Sequence, residues 1–193
     1  MQPATHSTPS IDSSFPRDWQ ATPLDGVPLI APARHFVYPR EVEEVERGAL
    51  QLIVQPQEGG EFLATFALGF TDPSLPTGIW SCPNAKWLCA VAGGYAYLVD
   101  TTDPQTWQMV EYRPVLHVIP HLSQQLLLFT GHQSIVAYGP SGRAWETLRL
   151  SWEGVQILEV SEDSLTGTGW DLMTDQEYEV RVDLHTGEHV RIT

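Results

Sequence analysis

The feature that most constrains the fold of this chain is a recurring turn phrase, which ends in tryptophan in three of its four copies. The copies run from Asp72 to Trp80, from Asp100 to Trp107, from Gly139 to Trp145 and from Asp183 to His189. Each copy follows one apolar stretch and precedes another. Recurrence at about forty residues is typical of propellers and arrays, so the phrase predicts that one supersecondary unit is used several times. The first copy is the least equivalent, because Trp80 and Trp107 are closer in sequence than Trp107 and Trp145.

From residue 49 onward the chain alternates between short apolar runs and turn residues, which predicts strands. The connections are too short for crossover helices, so we expect neighbouring strands to pair antiparallel. They group into units at about 35–70, 78–112, 115–150 and 154–192. The predicted strands are Ala49–Gln55, Phe62–Leu68, Trp87–Ala92, Tyr95–Val99, Gln108–Tyr112, Val115–Ile119, Gln125–Thr130, Ser134–Tyr138, Trp145–Leu150, Val155–Val160, Ser164–Thr168, Tyr178–Val182 and His189–Ile192.

One of these phrases, Tyr178 to Glu188, resembles the corner between the third and fourth strands of generic β-propeller repeats. Such repeats pair a strand that ends in Asp with a Thr-Gly turn, and Ser134 to Trp145 is a looser version that lacks the Asp. The resemblance covers about residues 80–193. It implies an all-β fold of antiparallel meanders, propeller-like, with three or four blades that form a closed ring or an incomplete one. No ligand or catalytic residue is carried over from it.

Residues 1–34 differ from the rest and predict an extended arm in front of one domain, 35–193. Prolines fix φ repeatedly in this segment, and Ser and Thr fill the gaps. Phe15 and Trp19 are among the apolar residues that could dock the arm, which we expect to be irregular but partly docked. The only helix that the sequence predicts lies near 40–47, where Pro39 suits a first turn and Gly48 suits the end.

The charge of the chain excludes several partners. Its net charge is −14, and Lys86 is the only lysine beside nine arginines. Without a cluster of cations we expect binding neither to nucleic acid nor to a membrane surface. An acidic surface favours a basic protein partner instead. The first twenty residues do not resemble a signal peptide, and Cys82 and Cys89 are predicted to be buried free thiols, so we expect a cytoplasmic protein.

Few residues suggest a site, and we predict no catalytic residue, no metal and no cofactor. His185 and His189 flank a turn with Asp183 and Glu188, but exposed turn residues explain them equally well. His117 and His121 have a zinc-like spacing that the predicted strand would separate by about 13 Å. The residues that we predict to bind a ligand are Trp170, in a long loop, Trp152 and His132.

These observations favour a non-enzymatic interaction module, either an adaptor or an inhibitor of the immunity type that masks a basic partner. A second copy of the chain could also cover exposed sheet edges. The alternative is carbohydrate binding or glycoside processing, in which exposed tryptophans stack on sugars and paired carboxylates from the acidic C-terminal part act as acid and base.

Overall fold

The computed structural model describes residues 9–26, 28, 30, 32–39 and 48–192. Within these ranges the chain forms only strands and turns, and the strands make four small sheets that we number in chain order. The helix predicted near 40–47 lies outside the described residues. In the part of the chain that the structure describes, no helix is long and apolar enough to cross a membrane.

Each sheet is formed by one continuous part of the sequence, except that the first strand of the chain joins sheet 2. Sheet 1 contains β2 (Trp19–Pro23), β3 (His35–Tyr38), β4 (Ala49–Pro56) and β5 (Phe62–Ala67), in the order β2-β4-β5-β3. Sheet 2 contains β1 (Ser10–Asp12), β6 (Gly78–Ser81), β7 (Trp87–Ala92), β8 (Tyr95–Asp100) and β9 (Trp107–Met109), in the order β1-β6-β7-β8-β9. Sheet 3 is the meander β10 (His117–His121), β11 (Leu126–Thr130), β12 (Ile135–Gly139) and β13 (Gly142–Glu146). Sheet 4 is the meander β14 (Gln156–Val160), β15 (Ser164–Asp171), β16 (Gln176–Asp183) and β17 (His189–Arg191).

Alternate residues of the middle strands enter different hydrophobic clusters, because successive side chains of a strand point to opposite faces. In β7, Leu88 packs with residues of sheet 1, whereas Cys89 packs with residues of sheet 3. In β11, Leu127 faces sheet 2 and Leu128 faces sheet 4. Among the described residues, each of the three clusters therefore joins two sheets that are consecutive in the chain.

Sheet 4 differs from sheets 2 and 3 because only one of its faces is apolar. Leu165, Val180 and Val182 are buried against sheet 3. The intervening residues of β16, such as Glu179 and Arg181, are exposed. Such alternation is typical of an antiparallel sheet with one solvated face. None of the clusters formed by the described residues joins sheet 4 back to sheet 1.

The N-terminal segment is more regular than the sequence predicts. Its strand β1 runs parallel to β6, and β2 pairs antiparallel with β4. Phe15 is 5% exposed, and Trp19 donates from Nε1 to the carbonyl oxygen of Trp87 at 3.1 Å. The prediction of an irregular arm is wrong for these residues because apolar anchors bring the backbone to open strand edges.

Two strand pairs are parallel, and each includes a strand that comes before residue 49. These are β1 with β6 and β3 with β5. β1 and β6 lie far apart in sequence, and β4 comes between β3 and β5 along the chain, so in both cases the chain can return in the same direction. From residue 49 onward, the strands that follow one another within a sheet pair antiparallel, as their short connections predict.

Candidate functional site

The residues predicted to bind a ligand, Trp170, Trp152 and His132, lie on neighbouring segments at one end of sheets 3 and 4. The N–H of Trp152 donates to the carbonyl oxygen of Trp170 at 3.0 Å. The N–H of Gly154 donates to the carbonyl oxygen of His132 at 2.8 Å. Backbone hydrogen bonds thus hold the three residues close together, although they come from different loops and strands.

Trp170 does not lie in a long loop, and that part of the prediction is wrong. It belongs to β15, pairs with Glu177 of β16 and is half-buried. The hairpin is tighter than expected because Asp171 accepts a hydrogen bond from the N–H of Met173 at 2.9 Å, and Asp175 adopts a φ of 53°. Asp residues favour short turns. Strands β15 and β16 therefore both extend as far as this turn.

Trp152 is the more exposed tryptophan of this group, with 42% of its surface accessible. The guanidinium carbon of Arg149 lies 3.8 Å from the centroid of its ring, and Arg149 also donates to Gln133 Oε1 at 3.0 Å. One face of the indole is therefore already occupied by a cation. His132 is exposed beside this group.

The histidines considered as metal ligands make ordinary polar contacts. His185 Nε2 lies 3.2 Å from Asp163 Oδ1, and His189 is half-buried in β17. Burial, together with the charge of Arg191, lowers the pKa of His189. Within the described ranges no three His, Cys, Asp or Glu residues converge in a way that could hold a metal ion.

His117 and His121 both lie on β10, which confirms that their spacing belongs to a strand. His117 is exposed and lies within hydrogen-bonding distance of Thr130, whereas His121 is buried with Nε2 2.8 Å from the carbonyl oxygen of Ser161. The two therefore have separate partners and separate environments.

An acidic concavity lies between the outer strands of sheets 3 and 4. Its volume is about 690 Å³. Two of its lining residues are apolar and largely exposed, since Leu148 is 80% and Val190 62% accessible. The charged groups that line this acidic concavity are Glu146, Asp163, Asp183, Glu188 and Arg181.

Carboxylates outnumber cations in the acidic concavity. Backbone N–H groups of Thr186 and His185 donate to Asp183 and lower the pKa of its carboxyl. That carboxylate is therefore ionised near neutral pH. The lowered pKa of His189 leaves the ring neutral there, so it does not offset the acids. Sequence reasoning named Asp183, Glu188 and His189 as neighbours of one turn but had no signal that β13 contributes to the same surface.

A second cavity, which we call the inter-sheet slot, lies between sheets 2 and 3 and has a volume of about 490 Å³. Cys82, Leu98 and Leu127 contribute apolar surface to it. Both cysteines are free and buried, as the sequence predicts, and burial raises the pKa of both thiols. The slot joins segments that are far apart in sequence, so no local pattern indicates it.

No protein-family model, curated protein or solved structure matches this chain. Its function must therefore be argued from its own surfaces.

Proposed function

We propose that this protein is a non-enzymatic interaction module that binds a basic protein partner through the acidic concavity. The observation that carries the proposal is the combination of excess carboxylates with two exposed aliphatic residues on one concave surface. Charged residues around an interface speed and orient association, whereas apolar residues that become desolvated supply affinity. An adaptor and an inhibitor that masks a basic partner would both use such a surface.

The wider charge of the molecule supports the same partner class. With a net charge of −14, the chain attracts cationic proteins over distances of about one Debye length, roughly 10 Å at 0.1 M salt. The buried free thiols of Cys82 and Cys89 are in keeping with a reducing compartment, so we also propose a cytoplasmic location.

We further infer that the sheets are consecutive blades of an incomplete, propeller-like array. Asp100 and Asp183 support this inference, because each ends the third strand of its meander and accepts hydrogen bonds from the turn that follows. Trp107 and Trp145 each lie on the fourth strand of a meander. Trp80 lies on the first strand of its meander, β6, so its copy of the phrase is not equivalent.

Carbohydrate processing is the weaker candidate because the acidic concavity has no tryptophan platform, and beside Trp170 the carboxylate of Asp171 is paired with Arg191 at 2.9 Å. The acidic concavity includes Ser164 at the start of β15 and no aromatic residue. Trp170 lies six residues further along the same strand, a separation of about 20 Å at strand rise. A glycosidase needs its carboxylates and its sugar platform in one cleft.

The proposal is tested with two charge reversals of equal size. Glu188→Arg changes the acidic concavity, and Glu58→Arg changes an exposed turn of sheet 1. Immobilised wild-type protein and both variants are used to capture partners from a lysate, and the proteins that differ are identified. We expect a basic protein that wild type and Glu58→Arg retain and that Glu188→Arg loses.

The captured protein is then purified and its Kd is measured against salt concentration. We expect the Kd to weaken at least about tenfold between 0.05 and 0.5 M NaCl, because screening removes the charge attraction. Leu148→Ser should weaken binding at all salt concentrations, because it removes an apolar anchor. Equal retention by the two charge-reversed variants, or a Kd that salt does not change, contradicts the proposal.

A further inference from the structure

The inter-sheet slot is a built site that is separate from the acidic concavity. Its two sides are the turn after β6 and the turn between β12 and β13. The side-chain amide of Asn84 donates to the carbonyl oxygen of Pro140 at 3.2 Å and connects these turns. This hydrogen bond joins sheets 2 and 3 at the slot. Its volume lies within the range of about 300–1,000 Å³ that is typical of ligand sites.

Aromatic and proline rings form much of the wall. Trp87 is half-buried there, and Tyr138 is 7% exposed with its ring packed edge-to-face on Phe129 at 5.6 Å between centroids. Pro83 and Pro140 line the same slot. These rigid rings lose little conformational freedom when a ligand binds, which favours recognition of another rigid group.

The residues that line the slot include several hydrogen-bond donors. An indole nitrogen and a guanidinium can only donate hydrogen bonds, and a tyrosine hydroxyl can donate one. The hydrogen bonds among the described residues include none from Trp87 Nε1 and none from the Tyr138 hydroxyl. Trp87 and Tyr138 line the slot, together with Gln108 and Arg143. A ligand that fits must therefore bring several acceptors.

Charge excludes ionic ligands from the slot. Arg143 is the one charged residue among those described along its wall. Its guanidinium is already paired with Glu146 and lies 3.7 Å from Glu111. An anionic ligand would meet these two carboxylates and the net charge of −14, whereas a cationic ligand would meet the guanidinium of Arg143 in the wall. The preferred ligand is neutral.

We propose that the inter-sheet slot binds a neutral proline-rich peptide segment in the polyproline II conformation. Such a segment has carbonyl oxygens with no internal hydrogen bonds, and its prolines have no N–H to satisfy. Grooves that recognise it are lined by aromatic residues and exploit the low entropy of the preformed helix. The free donors of Trp87 and Tyr138 and the ring-lined wall match these two properties.

The test uses ¹⁵N-labelled protein, because the indole N–H of each tryptophan gives its own NMR signal. A capped proline decamer is titrated to millimolar concentration, and a Gly-Ser peptide of the same length serves as the control ligand. We expect the decamer to shift the Trp87 indole signal, whereas the Gly-Ser peptide leaves it in place. Because the ligand is neutral, the Kd should barely change with salt, which separates this site from the acidic concavity.

Two variants with a matched control sharpen the test. Trp87→Phe has no indole reporter, so its binding is followed through backbone amide signals of the slot and should be abolished; it keeps the backbone carbonyl that accepts from Trp19. Tyr138→Phe removes only the hydroxyl and should weaken the Kd by up to about tenfold, the usual worth of one hydrogen bond. Trp152→Phe, an exposed aromatic elsewhere, should leave the Kd unchanged.

Three results would overturn the proposal. The first is a Trp87 signal that does not move with millimolar decamer. The second is a Tyr138→Phe protein that binds as tightly as wild type. The third is a Trp87 shift produced by a neutral cello-oligosaccharide and not by the peptide, which would make the slot a sugar site.

Discussion

At the scale of single residues, two glycines of β15 allow other backbone segments to lie very close to this strand. A Cβ atom added at Gly169 would overlap the carbonyl oxygen of Leu150, and one added at Gly167 would lie within 2.5 Å of the carbonyl oxygen of Gln156. Glycine in a strand interior often marks such an approach of another backbone. Gly169 lets the connection from sheet 3 pack directly onto sheet 4, and Gly167 lets β14 approach β15 closely.

The close approach predicts a strong effect of Gly169→Ala. We expect it to lower the free energy of unfolding by about 2 kcal/mol or more, because a methyl group has no space beside the Leu150 carbonyl. Thr168→Ala, one residue earlier on the solvated face, should cost less than about 1 kcal/mol. Urea denaturation of both variants checks this. If both variants lose the same free energy of unfolding, the contact with the Leu150 carbonyl does not restrict the side chain at residue 169.

The sequence could not reveal this role, because it depends on a backbone that is distant along the chain. No turn or motif in the sequence around Gly167 and Gly169 indicates that another backbone segment approaches them. By contrast, the buried free state of Cys82 and Cys89 was predictable, since two cysteines without CxxC spacing are too few for a disulfide framework and free Cys is usually buried. Residue-level prediction thus succeeds where the count and type of a residue decide its state.

At the scale of elements, β1 is held by one anchor rather than by its length. It contains three residues and pairs with β6. Gly78 of β6 permits this pairing, because a side chain there would overlap the Ser10 carbonyl. Beyond the strand, the N–H of Phe15 donates to Ser81 Oγ at 2.9 Å, and the ring enters the cluster between sheets 2 and 3.

We therefore expect Phe15→Ala to destabilise the protein by about 3–5 kcal/mol, the usual cost of removing a buried aromatic ring. Ile11→Ala in β1 removes a side chain that is 55% exposed and should cost less than about 0.5 kcal/mol. The measurement is chemical denaturation followed by circular dichroism. If the two variants lose the same free energy of unfolding, the N-terminal segment is peripheral and not part of the core.

Most strands after residue 49 were predictable because turns that contain glycine lie at the ends of their apolar runs. Gly93 and Gly94 form such a turn, and both adopt positive φ. The edges of β15 and β16 were not predictable, because Asp171 and Asp175 shorten the turn more than composition indicates. The parallel pairing of β1 also had no local signal, since its partner lies in another part of the chain.

At the scale of the whole molecule, the burial pattern changes along the stack. Strands β7 and β11 are buried on both faces, whereas β15 and β16 alternate between buried and accessible residues. A polar outer face is a property of terminal units in repeat arrays, which must end in water. This pattern supports the proposed open array, with sheet 4 at one end, over a closed ring.

An open end predicts that the outer face of sheet 4 accepts a charged side chain. Thr168 lies on this face, opposite Gln156 and Glu179 in the strand register. We expect Thr168→Lys to change the free energy of unfolding by less than about 0.5 kcal/mol and to leave the sedimentation coefficient unaltered. Val180→Lys, on the face packed against sheet 3, should prevent folding, because it buries an unpaired charge.

The comparison separates an open stack from the two alternatives for this face. If another sheet closed a ring here, or a second copy covered the face, Thr168→Lys would bury an ammonium group and cost several kcal/mol. In a closed ring, Thr168→Lys would lower the free energy of unfolding at every protein concentration. Coverage by a second copy would instead turn a dimer into a monomer in sedimentation. If both the stability and the mass are unchanged, the outer face of sheet 4 is exposed to water, and the acidic concavity beside it is accessible to a partner.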